Sequence, residues 1–217
     1  YYLAQSPHYR EYPAQAGDLF AVNVAGALRA AEAAANAEVK AFIYASSGTV
    51  YEPTFDEMEE DMPVRRDQGY ALSKVCAEEA LSLFDDPMKV LCPRFFGVYG
   101  PGQVGMLVQA IASRIRQGQP VTLEGNPGDG TDEGGLRMSF TFVDDLVGCL
   151  IDLARAMAGS SDLKGPLNVA GPKGISIREL AVEIGVIVGR DPVFEAAGRS
   201  RASDYIADIS RMRTCID

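Results

Sequence analysis

Apolar runs and amphipathic segments alternate along the chain. Ala41 to Ala45 and Val90 to Cys92 are continuous apolar runs, which is typical of strands buried in a parallel sheet. Segment 18–37 has apolar residues at i, i+3 and i+4, and segments 70–84 and 105–117 are also predicted to be helical. The pattern therefore predicts buried strands that alternate with helices.

Several residues mark the expected ends of these elements. Asp18 is expected to cap the first helix and Asp144 a later one. Ser176 and Glu179 form the S-x-x-E pattern of a capping box, and Gly118 is expected to end helix 105–117.

Breaks and short elements separate the longer ones. Pro87 is expected to interrupt the chain before the strand at Val90, and Val121 to Leu123 to form a short strand. The glycine-rich segment 125–135 is predicted to be a loop, because no helix follows it as in a dinucleotide-binding turn.

Composition and charge exclude some classes of protein. The chain has 217 residues, of which 47% are hydrophobic and 23% are charged, and this composition is ordinary for a globular protein. Its length is sufficient to bury a substantial core as one domain, or one and a half. Its net charge of −10 argues against nucleic-acid binding, which favours a basic surface. Apolar runs stay short of the ~20 residues of a membrane span, and no signal-peptide pattern is present. We therefore expect neither a nucleic-acid nor a membrane partner.

The cysteines and the single histidine give no sign of a metal site. Cys76, Cys92, Cys149 and Cys215 are widely spaced, without a C-x-x-C or Cys/His cluster, so thiols in a reducing cytoplasm are expected. His8 lies in a polar N-terminal segment, which disfavours a Ser-His-Asp triad.

The most informative chemistry lies in Tyr70 and Lys74. These residues are four apart on a predicted helix and therefore share one face. Because an ammonium favours a nearby phenolate, Lys74 is expected to lower the pKa of Tyr70, which could then act as acid or base. Ser47, after the preceding strand, could hydrogen-bond the same reacting oxygen. The alternative is an ordinary surface i,i+4 pair, since Tyr-x-x-x-Lys also occurs by chance.

Neighbouring motifs favour the catalytic interpretation. They are Ser46-Ser47-Gly48-Thr49-Val50-Tyr51, Glu60-Asp61-Met62-Pro63 and Arg94-Phe95-Phe96-Gly97-Val98-Tyr99-Gly100-Pro101-Gly102. Together with Tyr70 to Lys74, they resemble the extended short-chain dehydrogenase/reductase superfamily, in its branch of NAD-dependent nucleotide-sugar epimerases and dehydratases. Glu52 departs from the pattern, because the family usually has glycine there.

The resemblance implies an α/β fold with a Rossmann-like, doubly wound parallel sheet and a smaller α/β substrate-binding domain. Residues 1–97 would be the remainder of the dinucleotide-binding domain and 98–217 mainly the substrate-binding part, with 139–158 returning to the Rossmann domain. No G-x-x-G-x-x-G or G-x-G-x-x-G follows a strand, so against the family roughly 60 to 75 residues, two βαβ units, are expected to be missing at the N-terminus. A fragment, an incompletely recorded chain and a degenerate protein remain open alternatives.

The resemblance also implies a cofactor, either NAD or NADP. Lys74 would bind the nicotinamide ribose, and Asn23 matches the family's Asn-x-x-Gly beside the nicotinamide. The choice of dinucleotide stays open because the discriminating residue of the second strand is not in the chain. The residues expected to contact the cofactor are Leu3, Ala4, Asn23, Ala45, Ser46, Tyr70, Lys74 and Phe95.

Substrate contacts follow from the same resemblance. Arg137 corresponds to an arginine that contacts the diphosphate in nucleotide-sugar members, which suits a guanidinium fork. The family's late substrate arginine falls near Arg199 or Arg201. Gly97 stands where sugar-nucleotide enzymes usually have Asn, and is more like the steroid-dehydrogenase and reductase branch. The expected substrate-binding residues are Ser47, Thr49, Gly97, Arg137 and Arg199.

Three functions remain open at this point. The first is an epimerase or dehydratase acting on a nucleotide sugar through transient hydride abstraction, with Tyr70 as acid/base. The second is a hydroxysteroid or carbonyl oxidoreductase acting on a small hydroxyl or carbonyl substrate, which Gly97 favours. The third is a non-catalytic scaffold or binding protein, which the missing glycine motif favours and the intact Ser47, Tyr70 and Lys74 oppose. A homodimer is one possible assembly.

Overall fold

The computed structural model describes residues 1–84, 88–159 and 162–216, so the break predicted at Pro87 lies outside the described residues. The α-helices are α1 (Ala16–Phe20), α2 (Ala27–Asn36), α3 (Gly69–Leu81), α4 (Leu107–Gln117), α5 (Val143–Ala158), α6 (Ile177–Val188) and α7 (Ser210–Arg213). The strands are β1 (Ala41–Ile43), β2 (Ser46–Ser47), β3 (Lys89–Phe95), β4 (Val98–Tyr99), β5 (Val121–Gly125), β6 (Arg137–Ser139), β7 (Thr141–Phe142), β8 (Gly165–Val169), β9 (Gly174–Ser176) and β10 (Phe194–Ser200).

A parallel sheet centred on β3 organises the first half of the chain. Strands β1 and β2 follow one another along one side of β3, and β8 pairs with its other side. Beyond β1, Tyr2 forms a parallel bridge to Tyr44. The predicted parallel strands are thereby confirmed.

Helices cover both faces of this sheet. On one face, Ala27 and Ala31 of α2 pack with Ala77 and Leu81 of α3. On the other face, α5 packs Leu146, Leu150 and Leu153 against β1, β3 and β8. Apolar side chains on both faces explain why the strand sequences are continuously apolar. This arrangement is the doubly wound α/β fold predicted from the resemblance.

A second, smaller core lies between α4, α6, β5 and β10. Strands β5 and β10 pair in parallel, and Ile111, Ile115, Val121, Ala181 and Ile184 are buried together. The division of the chain into two domains stays a prediction.

The predicted helix ends are partly confirmed. Ser176 and Glu179 form the capping box of α6, and Gly118 ends α4 with a φ of 69°. Asp18 and Asp144 are not caps, because α1 begins at Ala16 and α5 at Val143, which puts both carboxylates in the first helical turn. Acidic groups in a first turn still face the positive end of a helix.

Segment 18–37 is not one regular α-helix. A π-helical turn, Ala21–Gly26, joins α1 to α2 and carries Asn23. The backbone carbonyl of Asn23 accepts a hydrogen bond from the Tyr44 hydroxyl at 3.1 Å, and that of Val22 accepts one from Tyr2 at 2.6 Å. The widened turn thus faces the two tyrosines at the edge of the sheet.

All four cysteines are free thiols. Within the described ranges, none of the helices has both the length and the apolar character that crossing a membrane requires.

Candidate active site

A cavity of about 830 Å³ opens where β2, β3 and the start of α3 meet. Its size lies within the range of roughly 300–1,000 Å³ typical of small-molecule sites, and the carboxyl ends of parallel strands are where such sites form. Among the residues predicted from the sequence, the following line it: Leu3, Ala45, Ser46, Ser47, Thr49, Tyr70, Lys74, Phe95 and Gly97. Ala4, Asn23, Arg137 and Arg199 are not among the lining residues.

Hydroxyl groups from two elements face this cavity. The Tyr70 hydroxyl donates a hydrogen bond to Oε1 of Gln5 at 2.9 Å. Ser47 Oγ lies 2.9 Å from Thr49 Oγ1 and accepts the Thr49 backbone N–H at 3.2 Å. That second bond caps the short turn that follows β2, which holds the Ser47 side chain in place.

Lys74 is buried, with 2% of its surface exposed. Its Nζ donates a hydrogen bond to the Ala45 carbonyl at 2.7 Å and lies 4.8 Å and 5.8 Å from the ring centroids of Tyr44 and Tyr70. Burial lowers the pKa of Lys74 to about 8, against the opposing effect of the Glu78 carboxylate.

The pKa of Tyr70 departs from the expectation. Burial raises it above the ordinary value, although the nearby Ser47 hydroxyl acts in the opposite direction. The expected lowering by Lys74 was wrong, because the ammonium lies over the Tyr70 ring and is hydrogen-bonded to Ala45, not to the phenol oxygen.

Because β2 and β3 are pleated, adjacent side chains on these strands point either toward the buried Glu78 carboxylate or toward the cavity. Ser46 pairs with Arg94 in the register of β2 and β3, and Ser47 pairs with Phe95. Successive residues of a strand point to opposite faces. Arg94 accordingly reaches Glu78, whereas Phe95 lines the cavity.

A buried ion pair lies behind the cavity. Arg94 and Glu78, with 4% and 6% of their side-chain surface exposed, are joined at 2.7 Å, and Glu78 also accepts a hydrogen bond from the Ser46 hydroxyl. Arg94 donates to the Glu60 carbonyl at 3.1 Å, and the Glu60 side chain accepts the Asn168 backbone N–H at 2.9 Å. These contacts join α3, β2, β3, β8 and the Glu60 loop.

Sequence reasoning missed Glu78 and Asn168 in this network. A signal for Glu78 was present, because it follows Lys74 by one helical turn and lies in an otherwise mostly apolar stretch. For Asn168, the sequence alone carried no comparable signal.

Asn23 acts within the protein interior. It is fully buried, its Oδ1 accepts the Ser6 backbone N–H at 3.1 Å, and its Nδ2 donates to Ser73 Oγ at 3.0 Å. Ser73 lies between Tyr70 and Lys74 on α3, so Asn23 braces the helix that carries them. Its direct contact with a cofactor stays a prediction.

The three arginines expected from the resemblance lie outside the cavity lining. The Arg137 side chain is exposed, and Arg199, 78% exposed, pairs with Glu124 at 2.6 Å. Arg201 is buried and pairs with Asp204 at 2.7 Å and with Asp132. Arg201 therefore ties together the segments around β5 and β10.

The loop after Tyr2 contributes cavity residues that the sequence did not indicate. Gln5, Tyr9 and Arg10 line the cavity, and the Tyr9 ring packs against the Tyr70 ring at a centroid distance of 5.3 Å. His8, in the same loop, pairs with Glu11 at 3.0 Å and is not among the lining residues.

Gly97 has a structural reason to be glycine. Its φ is 43°, and a Cβ atom there would lie 2.3 Å from the Ser139 carbonyl oxygen. Asn is among the residues that best tolerate a positive φ, which fits the Asn usual in sugar-nucleotide enzymes. The close approach of Ser139 excludes any side chain here, so Gly97 is weaker evidence for the reductase branch than the sequence suggested.

Comparison with known proteins identifies the family of the chain. The model of the NAD dependent epimerase/dehydratase family matches residues 1–170. The chain belongs to this family. UDP-glucose 4-epimerase of Mycolicibacterium smegmatis is 31% identical over 177 residues, covering 77% of this chain and 53% of that protein.

Two further relatives of this epimerase/dehydratase chain differ in what they act on or bind. The dTDP-4-dehydro-6-deoxy-D-allose reductase of a Streptomyces species is 29% identical over 189 residues, covering 81% of this chain and 52% of that protein. The structure of MoeE5 in complex with UDP-glucuronic acid and NAD has a TM-score of 0.74 and 26% identity, covering 98% of this chain and 69% of MoeE5. The chain spans about half the length of the curated relatives it matches.

The family is NAD-dependent, and the cavity residues fit one part of that cofactor. Lys74 supplies an ammonium, and Phe95 an aromatic side chain, to the same cavity. Both suit the nicotinamide and its ribose. A glycine-rich cradle for the pyrophosphate is not found in the 217 residues.

Proposed function

We propose that this protein acts on a nucleotide sugar as an NAD-dependent epimerase or dehydratase, with Tyr70 as the acid/base. The observation that carries the proposal is the convergence of Ser47, Tyr70 and Lys74 on one cavity, in a chain of the epimerase/dehydratase family. Relatives that bind or act on UDP-sugars support this substrate class.

The three side chains would divide the work as follows. Tyr70 would exchange a proton with a sugar hydroxyl, which would take the place of Gln5 at the phenol oxygen. Ser47, held by Thr49, would hydrogen-bond the same sugar oxygen and so keep it aligned with Tyr70. Lys74, when protonated, would bind the cofactor's ribose. NAD, when bound, supplies the hydride acceptor at the adjacent carbon.

A net oxidoreductase is the second candidate. The similarity to a dTDP-sugar reductase favours it, because that relative covers most of this chain. An epimerase returns the hydride to its substrate, whereas an oxidoreductase changes the amount of NADH or NADPH. Absorbance of the reduced cofactor, followed during turnover, therefore separates the two. A non-catalytic scaffold would show neither a new sugar nor a change in cofactor.

The test of Tyr70 uses the intact protein with NAD and UDP-glucose. Because a positioned acid/base contributes about 10²–10⁴-fold to a rate, Tyr70→Phe is expected to lose at least about 100-fold in turnover. Formation of the epimer would be followed by chromatography, and urea unfolding would check that the fold is intact.

Tyr12→Phe is the matched control, because Tyr12 is 49% exposed and does not line the cavity. Retention of most turnover by Tyr70→Phe would contradict the role given to Tyr70. A cytoplasmic location and a homodimer remain predictions, which cell fractionation and analytical ultracentrifugation would test.

A further inference from the structure

The cavity has a charge of its own, opposite to that of the chain. The protein carries a net charge of −10, yet among the described residues the charged side chains that line the cavity are Arg10 and Lys74, without any Asp or Glu. A cleft lined by one sign of charge raises the local concentration of ligands of the other sign. The cavity is therefore suited to an anionic ligand.

The two cations differ in what they can offer to such a ligand. Lys74 is buried and already donates to the Ala45 carbonyl. Arg10 is exposed at the cavity, 5.1 Å from the Tyr9 ring centroid, and its Nη2 lies 3.8 Å from the Met106 sulfur. Neither neighbour is negatively charged, and within the described part of the chain Arg10 has no ion pair. Its five N–H donors are thus held without a carboxylate partner.

The position of Arg10 connects it to Tyr70. The Arg10 guanidinium lies over the Tyr9 ring, and the Tyr9 ring packs against Tyr70, so a single aromatic side chain separates the guanidinium from the proposed acid/base. Met106 immediately precedes α4, so Arg10 also reaches across to the wall formed by the second half of the chain. A substrate bound at Tyr70 therefore lies within the same cavity as this guanidinium.

We propose that Arg10 binds an anionic oxygen group of the nucleotide-sugar substrate, either its phosphate or a carboxylate on its sugar. This inference rests on the proposed function. A planar guanidinium fork matches both groups through paired hydrogen bonds. Arg10 would then bind the anionic part of the substrate, the role that the resemblance assigned to Arg137 and Arg199. Those two arginines do not line the cavity.

Calorimetric binding of UDP-glucose and of UDP-glucuronic acid to the intact protein tests this. Arg10→Gln is expected to weaken binding by about 10- to 100-fold, since a hydrogen bond to a charged group typically contributes that much. An equal loss for both ligands identifies the phosphate as the partner of Arg10. A loss confined to UDP-glucuronic acid identifies the sugar carboxylate.

Arg29→Gln is the matched control, because Arg29 is an exposed arginine on α2 that does not line the cavity. Arg10→Lys, which keeps the charge but removes the fork, is expected to bind with intermediate affinity. Circular dichroism would verify that each variant is folded. If Arg10→Gln binds both ligands within about twofold of the wild type, the proposal is overturned.

Turnover measured in parallel separates this proposal from the proposed function. If binding depends on Arg10 but neither an epimer nor reduced cofactor is formed, the proposed enzyme function is contradicted and the anion site at Arg10 is supported. If the wild type turns over substrate and Arg10→Gln binds it with unchanged affinity, the enzyme function is supported and the anion site at Arg10 is overturned. Failure of the wild type to bind either ligand would overturn both.

Discussion

The pKa values of Lys74 and Tyr70 are shifted by their burial in the protein. Lys74 has a lowered pKa because α3 buries it, and its contacts are a carbonyl oxygen and two aromatic rings. Tyr70 has a raised pKa for the same reason. Burial thus keeps both residues closer to their neutral forms than in water, although the Glu78 carboxylate opposes this effect at Lys74. We expect that a bound cofactor or substrate changes the surroundings of Tyr70 and Lys74 and so favours their charged forms.

The pH dependence of stability should reveal the state of Lys74. The folded protein releases this proton near pH 8, whereas an unfolded lysine releases it near 10.5. Between these values the unfolded chain binds more protons, so Lys74 makes the free energy of unfolding rise by up to about 1.4 kcal/mol per pH unit. Lys74→Met should therefore be most stabilised relative to the wild type below pH 8.

Urea unfolding of wild type and Lys74→Met between pH 7 and 9.5 measures this difference, in which other titrating groups largely cancel. Lys40→Met, at an exposed position, is the control for removal of a lysine side chain. A difference between wild type and Lys74→Met that stays constant across this range would show that the buried lysine is not titrating there.

Two glycines with positive φ provide a paired test of backbone packing. Gly102 has a φ of 81° and open space around it, whereas Gly97 also has the Ser139 carbonyl 2.3 Å from the position of a Cβ. Gly102→Ala should destabilise by about 1 kcal/mol, through conformation alone. Gly97→Ala should cost about 3 kcal/mol or more. Equal midpoints of urea unfolding for the two variants would show that the contact with Ser139 relaxes freely.

At the scale of elements, the buried Arg94–Glu78 pair links the helix and the strands that carry the site. Glu78 lies on the same helix as Tyr70 and Lys74, and it accepts hydrogen bonds from β2 through Ser46 and from β3 through Arg94. The helix that carries the proposed acid/base is thereby fixed to the strands that carry Ser47 and Phe95. Hydrophobic packing alone would leave more freedom for sliding between these elements.

Removal of the arginine from this pair should be far more costly than removal of an exposed one. Arg94→Met leaves the Glu78 carboxylate buried without its partner and should destabilise by about 3–5 kcal/mol. Arg66→Met breaks the 2.6 Å pair with Glu79, whose side chains are 58% and 61% exposed, and should cost at most about 1 kcal/mol. Denaturant unfolding compares the two. Similar losses would mean that the buried pair contributes no more than a surface pair.

At the scale of the whole molecule, the cavity lies between the parallel sheet and the second half of the chain. Tyr70 and Ser47 line it from one side, and Leu136 and Met138 from the other. The parallel strands, the α6 capping box and the Ser47, Tyr70 and Lys74 cluster could be predicted, because they depend on local patterns or on fixed spacing. The positions of Arg10, Arg137 and Arg199 could not, because they depend on how distant loops fold over the sheet.

The alternation of side chains along β2 and β3 also limits which mutations these strands can accept during evolution. The side chains of Ser46 and Arg94 hydrogen-bond to Glu78, while the adjacent Ser47 and Phe95 line the cavity, which Ser46 also borders. Loss or gain of one codon within either strand would move each of these side chains to the opposite face. We expect lineages of this protein to accumulate substitutions in these strands far more readily than single-residue length changes.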